Sequence, residues 1–374
     1  MTASTGTPAI GTTIELANGV KMPMVALGTA PQMTGDEDSS HFNPLNSFAG
    51  FLPEQAYRSV HALLEMKDKK TADDNDDDSD KVPVHIDTAL FYRSHPQIRQ
   101  VMGNAFATGE KQRSGVFLTT KVFHPYNPFG GEDLGTCMPS DPECEMTYED
   151  VYRFVYRQFQ QSLHECGVGY FDLVLLHWPG RSHPKTNATI NAQHRLAAWH
   201  VLEDCYAKGW TRAIGVSNFS EHHLEELQSM NEASKTQEST NVRGSSVAVR
   251  PHVNQIEASV FLQYQGIREY CLAHGIVTAA FSPLGRGVMH VAENETVHSI
   301  ATKHGKDAGQ VAMKYLLQKG YGCVVFWTTN VQRIASNHEL HDFHLDESEL
   351  EALDALNRSD GSGTWGLVSP YEIP

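Results

Sequence analysis

Eight short apolar runs, each followed by a stretch of helical character, constrain this 374-residue chain more than any other feature. The runs lie at 22–27, the first half of 84–92, 115–121, 171–177, 211–217, 252–257, 276–281 and 323–327. Several are rich in β-branched residues, and 171–177 is apolar apart from Asp172 and the histidine at its tip, the pattern of strands buried on both faces. Helices are predicted between them at 53–69, 96–107, 147–165, 190–208, 221–230, 263–274 and 308–319. A short helix at 294–304, one from about 331 and a last one at 347–357 complete the set. Strands that alternate with helices pair in parallel through right-handed crossovers. Eight such units close into an α/β architecture, the (β/α)8 TIM barrel, with chemistry at the C-terminal strand ends. The competing open doubly wound sheet would carry a Gly-rich dinucleotide turn after its first strand, and none is found here. A small hairpin at 12–21, turning on Asn18-Gly19, precedes the barrel.

Composition bounds the class. Hydrophobic residues make up 40% and charged residues 20%, enough for a packed core. One domain over 1–374 is expected, with irregular tails at 1–11 and 358–374. Loop insertions are expected at 31–52, 72–80, 122–146 and 231–248. The first and third leave the C-terminal ends of strands and should overhang the active face. The acidic tract 73–80 and the loop 231–248 belong on the opposite face. A net charge of −16 argues against nucleic acid as a partner. No apolar run approaches the roughly 20 residues of a membrane span, and 1–11 lacks the regions of a secretion signal. A cytoplasmic protein with no membrane partner is therefore expected. Cysteines at 137, 144, 166, 205, 271 and 323 show no zinc spacing and read as free thiols.

The strand ends carry the polar residues. In order they offer Thr29, then Asp87 and Tyr92, Lys121, His177, Ser217 with Asn218, Gln255, Ser282, and Thr328 with Thr329. Asp, Tyr, Lys and His from three consecutive strands form a proton-transfer set. A phenol of pKa about 10 is a weak acid near neutrality. An ammonium beside it favours the phenolate and pulls that value down. A carboxylate holds the lysine, and a histidine orients a substrate oxygen, as reduction of a carbonyl by hydride requires. Singly, Asp87 reads equally well as a helix cap, Lys121 as a surface lysine and His177 as a satisfied core histidine. Gathered on one face, such groups favour a site, because burying them unpaired is costly.

The same residues, with their neighbours, resemble the aldo-keto reductase family. The matching segments run in order: Gly19-Val20-Lys21-Met22-Pro23, Leu27-Gly28-Thr29, Asp87-Thr88-Ala89 with Tyr92, and Thr120-Lys121. Leu176-His177-Trp178-Pro179, Gly215-Val216-Ser217-Asn218-Phe219, Asn254-Gln255-Ile256-Glu257 and Phe281-Ser282-Pro283-Leu284-Gly285 follow. The resemblance implies a nicotinamide cofactor, NADPH, extended across the barrel top. It implies Tyr92 as proton donor, tuned by Lys121 and Asp87, with His177 orienting the carbonyl. It places Ser217, Asn218 and Gln255 on the nicotinamide amide and Phe281 against the nicotinamide ring. Thr29 also joins the cofactor set. Ser282, Leu284 and Arg286 fall toward the pyrophosphate and ribose, and Thr328, Thr329, Arg333 and Asn337 toward the adenine end. Ala30, Phe123 and Trp178 fall on the substrate pocket.

Two departures stand out. The family usually places Lys where Trp327 stands, to meet the 2′-phosphate of NADPH. Arg333 can still hold a phosphate, so NADPH is expected with weakened discrimination against NADH. Ala30 stands where an aromatic often lines the pocket, which implies a roomier site on that side. The expected function is reduction of an aldehyde, ketone or sugar-like small molecule, by a protein that fits a monomer. The other function class is a redox-sensing, cofactor-binding regulatory protein with little turnover. His338, His341 and His344 recur every third residue and read as a surface cluster; no metal site is expected.

Overall fold

Parallel pairing runs strand to strand until the last meets the first. A computed structural model describes residues 13–30, 53–66, 82–123, 146–180, 187–236, 247–287, 289–358 and 369–374. A two-stranded antiparallel hairpin, β1 (Thr13–Glu15) and β2 (Lys21–Pro23), comes first. The barrel strands are β3 (Val25–Gly28), β4 (Val84–Asp87), β5 (Val116–Val122), β6 (Phe171–Leu176), β7 (Thr211–Ser217), β8 (Val253–Glu257), β9 (Val277–Phe281) and β10 (Cys323–Phe326). They close in the order β10-β3-β4-β5-β6-β7-β8-β9, with β10 paired back to β9. The helices are α1 (Pro53–Leu64), α2 (His95–Thr108), α3 (Tyr148–Cys166), α4 (Ala188–Ala207), α5 (Glu221–Thr236), α6 (Gln265–Ala273), α7 (Glu295–His304), α8 (Ala308–Gln318), α9 (Val331–Ser336) and α10 (Glu347–Asp354). No helix among the described residues is long and apolar enough to cross a membrane.

Side-chain parity along the strands divides the core in two. Leu27, Ile86, Leu118, Val174, Leu176, Ile214, Val216, Ile256 and Val324 pack outward under the helices. The residues between them, Ala26, Phe117, Leu173, Leu175, Ala213, Val253, Ala279 and Cys323, fill the barrel interior. The hairpin adds Leu16 and Met22 to that interior, closing its N-terminal end. Gly19 makes the hairpin turn possible at φ 82°. Gly215 is demanded by crowding, since a Cβ there would lie 2.4 Å from the Val253 carbonyl oxygen. Local signals set the helix starts. Thr147 and Asp150 form a capping box on α3, and Asp307 and Gln310 another on α8.

Several boundaries differ from the sequence reading, and three of them have consequences. Residues 231–236, expected within a loop, continue α5. Their side chains are polar, so no apolar period marks them, yet Asn231 and Lys235 are held by the buried carboxylate of Glu203 at 2.7 and 2.8 Å. The strand expected to 327 ends at Phe326, and Trp327 stands beyond it, 38% exposed. The tail, expected to be irregular throughout, forms a short 3-10 turn at Pro370–Glu372 and packs onto the barrel. The expected insertions at 31–52 and 72–80, most of those at 122–146 and 231–248, and the tail 1–11 lie outside the described residues.

Candidate active site

Inward parity carries the site. Asp87 and Lys121 share the barrel-facing side of their strands with the interior apolar residues, one layer nearer the C-terminal mouth. The Lys121 ammonium lies 2.5 Å from one Asp87 oxygen and donates to the Thr88 carbonyl at 3.1 Å. The second Asp87 oxygen accepts from the Gln255 amide at 2.8 Å. Both ionic partners are almost wholly buried. Burial alone would lower the Lys121 pKa. Asp87 and Tyr92 outweigh it, so the lysine is raised above its ordinary value and stays charged.

Tyr92 comes from a single 3-10 turn, Leu90–Tyr92, between β4 and α2. Its ring centroid is 5.2 Å from the Lys121 nitrogen and 5.7 Å from the His177 ring, edge to face. Burial pushes its pKa up and Lys121 pulls it down, with the upward effect the larger. The acidified phenol expected from the sequence is therefore not what this arrangement gives. Tyr92 is a weaker acid than a free tyrosine and stays protonated through the neutral range. His177 stacks on Phe123 at 4.7 Å and 22°. Burial and then Lys121 hold its pKa well below the ordinary value, so the imidazole is neutral. Its Nδ1 is buried with no hydrogen-bond partner among the described residues.

The expected cofactor residues ring this centre. Ser217 Oγ donates to the Gln255 carbonyl at 2.8 Å, and Asn218 Nδ2 donates to the His177 carbonyl at 2.9 Å. With the Asn218 amide nitrogen on the His177 carbonyl and the Gln255 amide nitrogen on Asp87, both side-chain amide oxygens face the site as acceptors for a carboxamide, which fits a nicotinamide. Asn218, Ser282 and Arg286 all take positive φ, at 63°, 53° and 53°. Such backbone strain in non-glycine residues collects at ligand-holding sites. Arg286 donates to Ser282 Oγ at 3.2 Å, and its charge is felt by Tyr92. Phe281 ends β9 on the inward side, with Leu284 half-buried just beyond. Thr29 is buried at the end of β3, bonded to the Asp87 carbonyl. On the β10 side, Thr328 is buried with its carbonyl held by Ser59, Thr329 is exposed, Arg333 is exposed on α9 and Asn337 is buried just after it. Among the described residues no cluster of three or more His, Cys, Asp or Glu could hold a metal ion.

The apolar wall contains two members the sequence reading missed, Phe91 and Ile373. Phe123 and Trp178 pack with Phe91 and with Ile373 from the tail, while Ala30 stands half-buried beyond Thr29. Ile373 is seated by its backbone. His223 Nδ1 accepts from Ser220 N, so its Nε2 donates to the Ile373 carbonyl at 2.8 Å. Asn191 and Arg195 donate to the Pro374 carbonyl at 2.9 and 3.1 Å. A lone isoleucine between Glu372 and Pro374 is the only sequence signal for this. Gln158 was also missed: its amide bonds the Phe123 backbone in both directions, at 3.0 and 3.1 Å.

A closed barrel with this mouth invites comparison with known proteins. A model of the aldo/keto reductase family matches residues 84–358. The glyoxal reductase of Bacillus subtilis (strain 168) is 29% identical over 351 residues, covering 94% of this chain and 95% of its own length. NADPH-dependent codeinone reductase 1-2 of Papaver somniferum is 28% identical over 369 residues, 96% of this chain and 93% of its own. The crystal structure of a Bombyx mori aldo-keto reductase in complex with NADP superposes with a TM-score of 0.63 at 26% identity, covering 92% of both chains. The chain belongs to the aldo/keto reductase family.

Proposed function

We propose that this protein is an NADPH-dependent reductase of an aldehyde, ketone or sugar-like carbonyl, with Tyr92 as proton donor. One observation carries the reading: a protonated phenol stands over a buried, charged lysine that a carboxylate anchors at the barrel mouth. NADPH, when bound, supplies the hydride. Ser217, Asn218 and Gln255 would hold its carboxamide, Phe281 would back its ring, and Ser282, Leu284 and Arg286 would serve its pyrophosphate and ribose. The neutral His177 donates a hydrogen bond to the substrate oxygen and fixes its direction. Tyr92 gives its proton to that oxygen as negative charge grows there. The phenolate left behind is stabilised by the Lys121 ammonium, whose own charge Asp87 balances. Phe123, Trp178 and Ile373 exclude water around the carbonyl. NADP(H) appears in the names or titles of several relatives. Arg333 supplies a charge for the 2′-phosphate in place of the missing lysine, so NADPH is favoured and NADH is accepted.

The test is Tyr92→Phe, assayed as NADPH oxidation against a panel of aldehydes, ketones and keto sugars. Turnover is expected to fall by about 10²–10⁴-fold, the usual share of general acid catalysis, with NADPH binding unchanged. Full activity in the variant would remove Tyr92 from the reaction.

A further inference from the structure

Ser94 occupies the N-cap position of α2, yet its side chain caps nothing. A serine there ordinarily accepts from a first-turn N–H. This hydroxyl, fully buried, turns into the barrel wall instead. It lies 3.0 Å from Thr29 Oγ1 and 3.0 Å from Thr88 Oγ1. Thr29 spends its one O–H on the Asp87 carbonyl at 3.2 Å. Ser94 must then donate to Thr29, and Thr88 to Ser94. The result is a one-way chain from Thr88 through Ser94 and Thr29 to the backbone of Asp87. The Thr88 carbonyl, in turn, accepts from the Lys121 ammonium.

The chain grips a strained turn. Arg93, directly after Tyr92, takes φ 55°, a conformation that persists in a non-glycine residue only when its surroundings over-determine it. Ser94 supplies one anchor. His95, also fully buried, supplies another, with Nε2 3.2 Å from Thr120 Oγ1. Thr88 and Thr120 are the chain neighbours of Asp87 and Lys121. The exit of the Tyr92 turn is therefore tied to the end of β3 and to the two strands that carry Asp87 and Lys121.

We propose that the Ser94 hydroxyl is a positioning group that sets the place of the Tyr92 phenol relative to Lys121 and the substrate oxygen. This rests on the reading of Tyr92 as proton donor. A displacement of about 1 Å in such a group can cost up to about a hundredfold in rate. Ser94→Ala is expected to lower kcat about tenfold while KM and NADPH affinity stay within about twofold. The isotope effect on kcat with 4-deuterated NADPH should rise as the chemical step slows. Thr88→Val should give the same loss, and the double variant no more than either alone, because both cut one chain. Thr88→Val also reads the chain if Ser94→Ala fails to fold. Ser94→Thr, which keeps the hydroxyl, should restore kcat.

A Ser94→Ala enzyme with the kcat of the original would overturn the proposal. So would a loss that matches only the fall in folded fraction, or additive losses in the double variant. A crystal structure of Ser94→Ala with the phenol unmoved would do the same without any assay. An active Tyr92→Phe enzyme sinks the underlying reading and this proposal with it. An inert Tyr92→Phe beside an unimpaired Ser94→Ala sinks the positioning role alone.

Discussion

Two histidines sit in the barrel, one near its floor and one at its mouth, and they differ in what surrounds their nitrogens. His85 on β4 places Nε2 2.9 Å from Thr119 Oγ1 and Nδ1 3.2 Å from the Pro23 carbonyl, with Phe117 against its ring at 4.6 Å. Burial pushes its pKa down to about 4, and both nitrogens are spoken for. His177 is also buried and neutral, yet its Nδ1 meets no described partner. The carboxylates tell the same story. Asp172, at the start of β6, accepts from Arg113, Arg212 and the Leu118 backbone, all between 2.8 and 2.9 Å. Asp87 accepts from Lys121 and Gln255, and behind that lysine stands a phenol. Burial and a shifted pKa do not separate structure from chemistry. What separates them is their neighbours: His85 and Asp172 bond only to the surrounding core, whereas His177 and the lysine held by Asp87 stand beside the Tyr92 phenol at the barrel mouth.

The sharpest way to break this contrast is Lys121→Met. It removes the charge beside Tyr92 and leaves Asp87 buried with only Gln255. Turnover should fall about 10²–10³-fold, and unfolding in urea should show a loss of about 3–5 kcal/mol. A stable, active variant would mean that the mouth is as inert as the floor.

Acid tests the floor. The unfolded chain protonates His85 near the ordinary value of 6.5, whereas the folded chain does so only near 4. Between those values the unfolded state binds more protons, so stability is lost as pH falls from 6.5 toward 4. His85 alone contributes about 2 kcal/mol between pH 6.5 and 5. His85→Leu should flatten the pH dependence of urea unfolding by that amount and leave kcat of the folded enzyme at pH 7 unchanged. A fall in kcat would place His85 in the chemistry.

The smallest effect concerns the rim. Trp327→Lys restores a charge at an exposed position and should tighten NADPH over NADH by about two- to fivefold, the range of an exposed ion pair. Side-by-side titration of the two cofactors by fluorescence reads it. An unchanged ratio would show that Arg333 alone meets the 2′-phosphate.

Much of the frame was legible because strands and helices here carry strong local signals. Runs such as Leu173–Leu176 are apolar throughout, Asn18-Gly19 names its turn, and Thr147 with Asp150 marks the start of α3. The strand-end positions of Asp87, Lys121 and His177 follow from where the apolar runs stop. What escaped was set by contacts distant in sequence. Residues 231–236 are helical because Glu203 holds their polar side chains. Ile373 lines the pocket because His223, 150 residues earlier, holds its carbonyl. The net direction of the Tyr92 pKa also escaped, since the sequence shows the opposing lysine but not the depth of burial.

By itself the sequence determined that eight apolar segments separated by helices must close on one another, and which polar residues would end those segments. Only the packed barrel decided which of those residues keep a bond to give. That outcome depends on distances of a few ångströms between segments far apart in the chain, and local propensity carries no record of them.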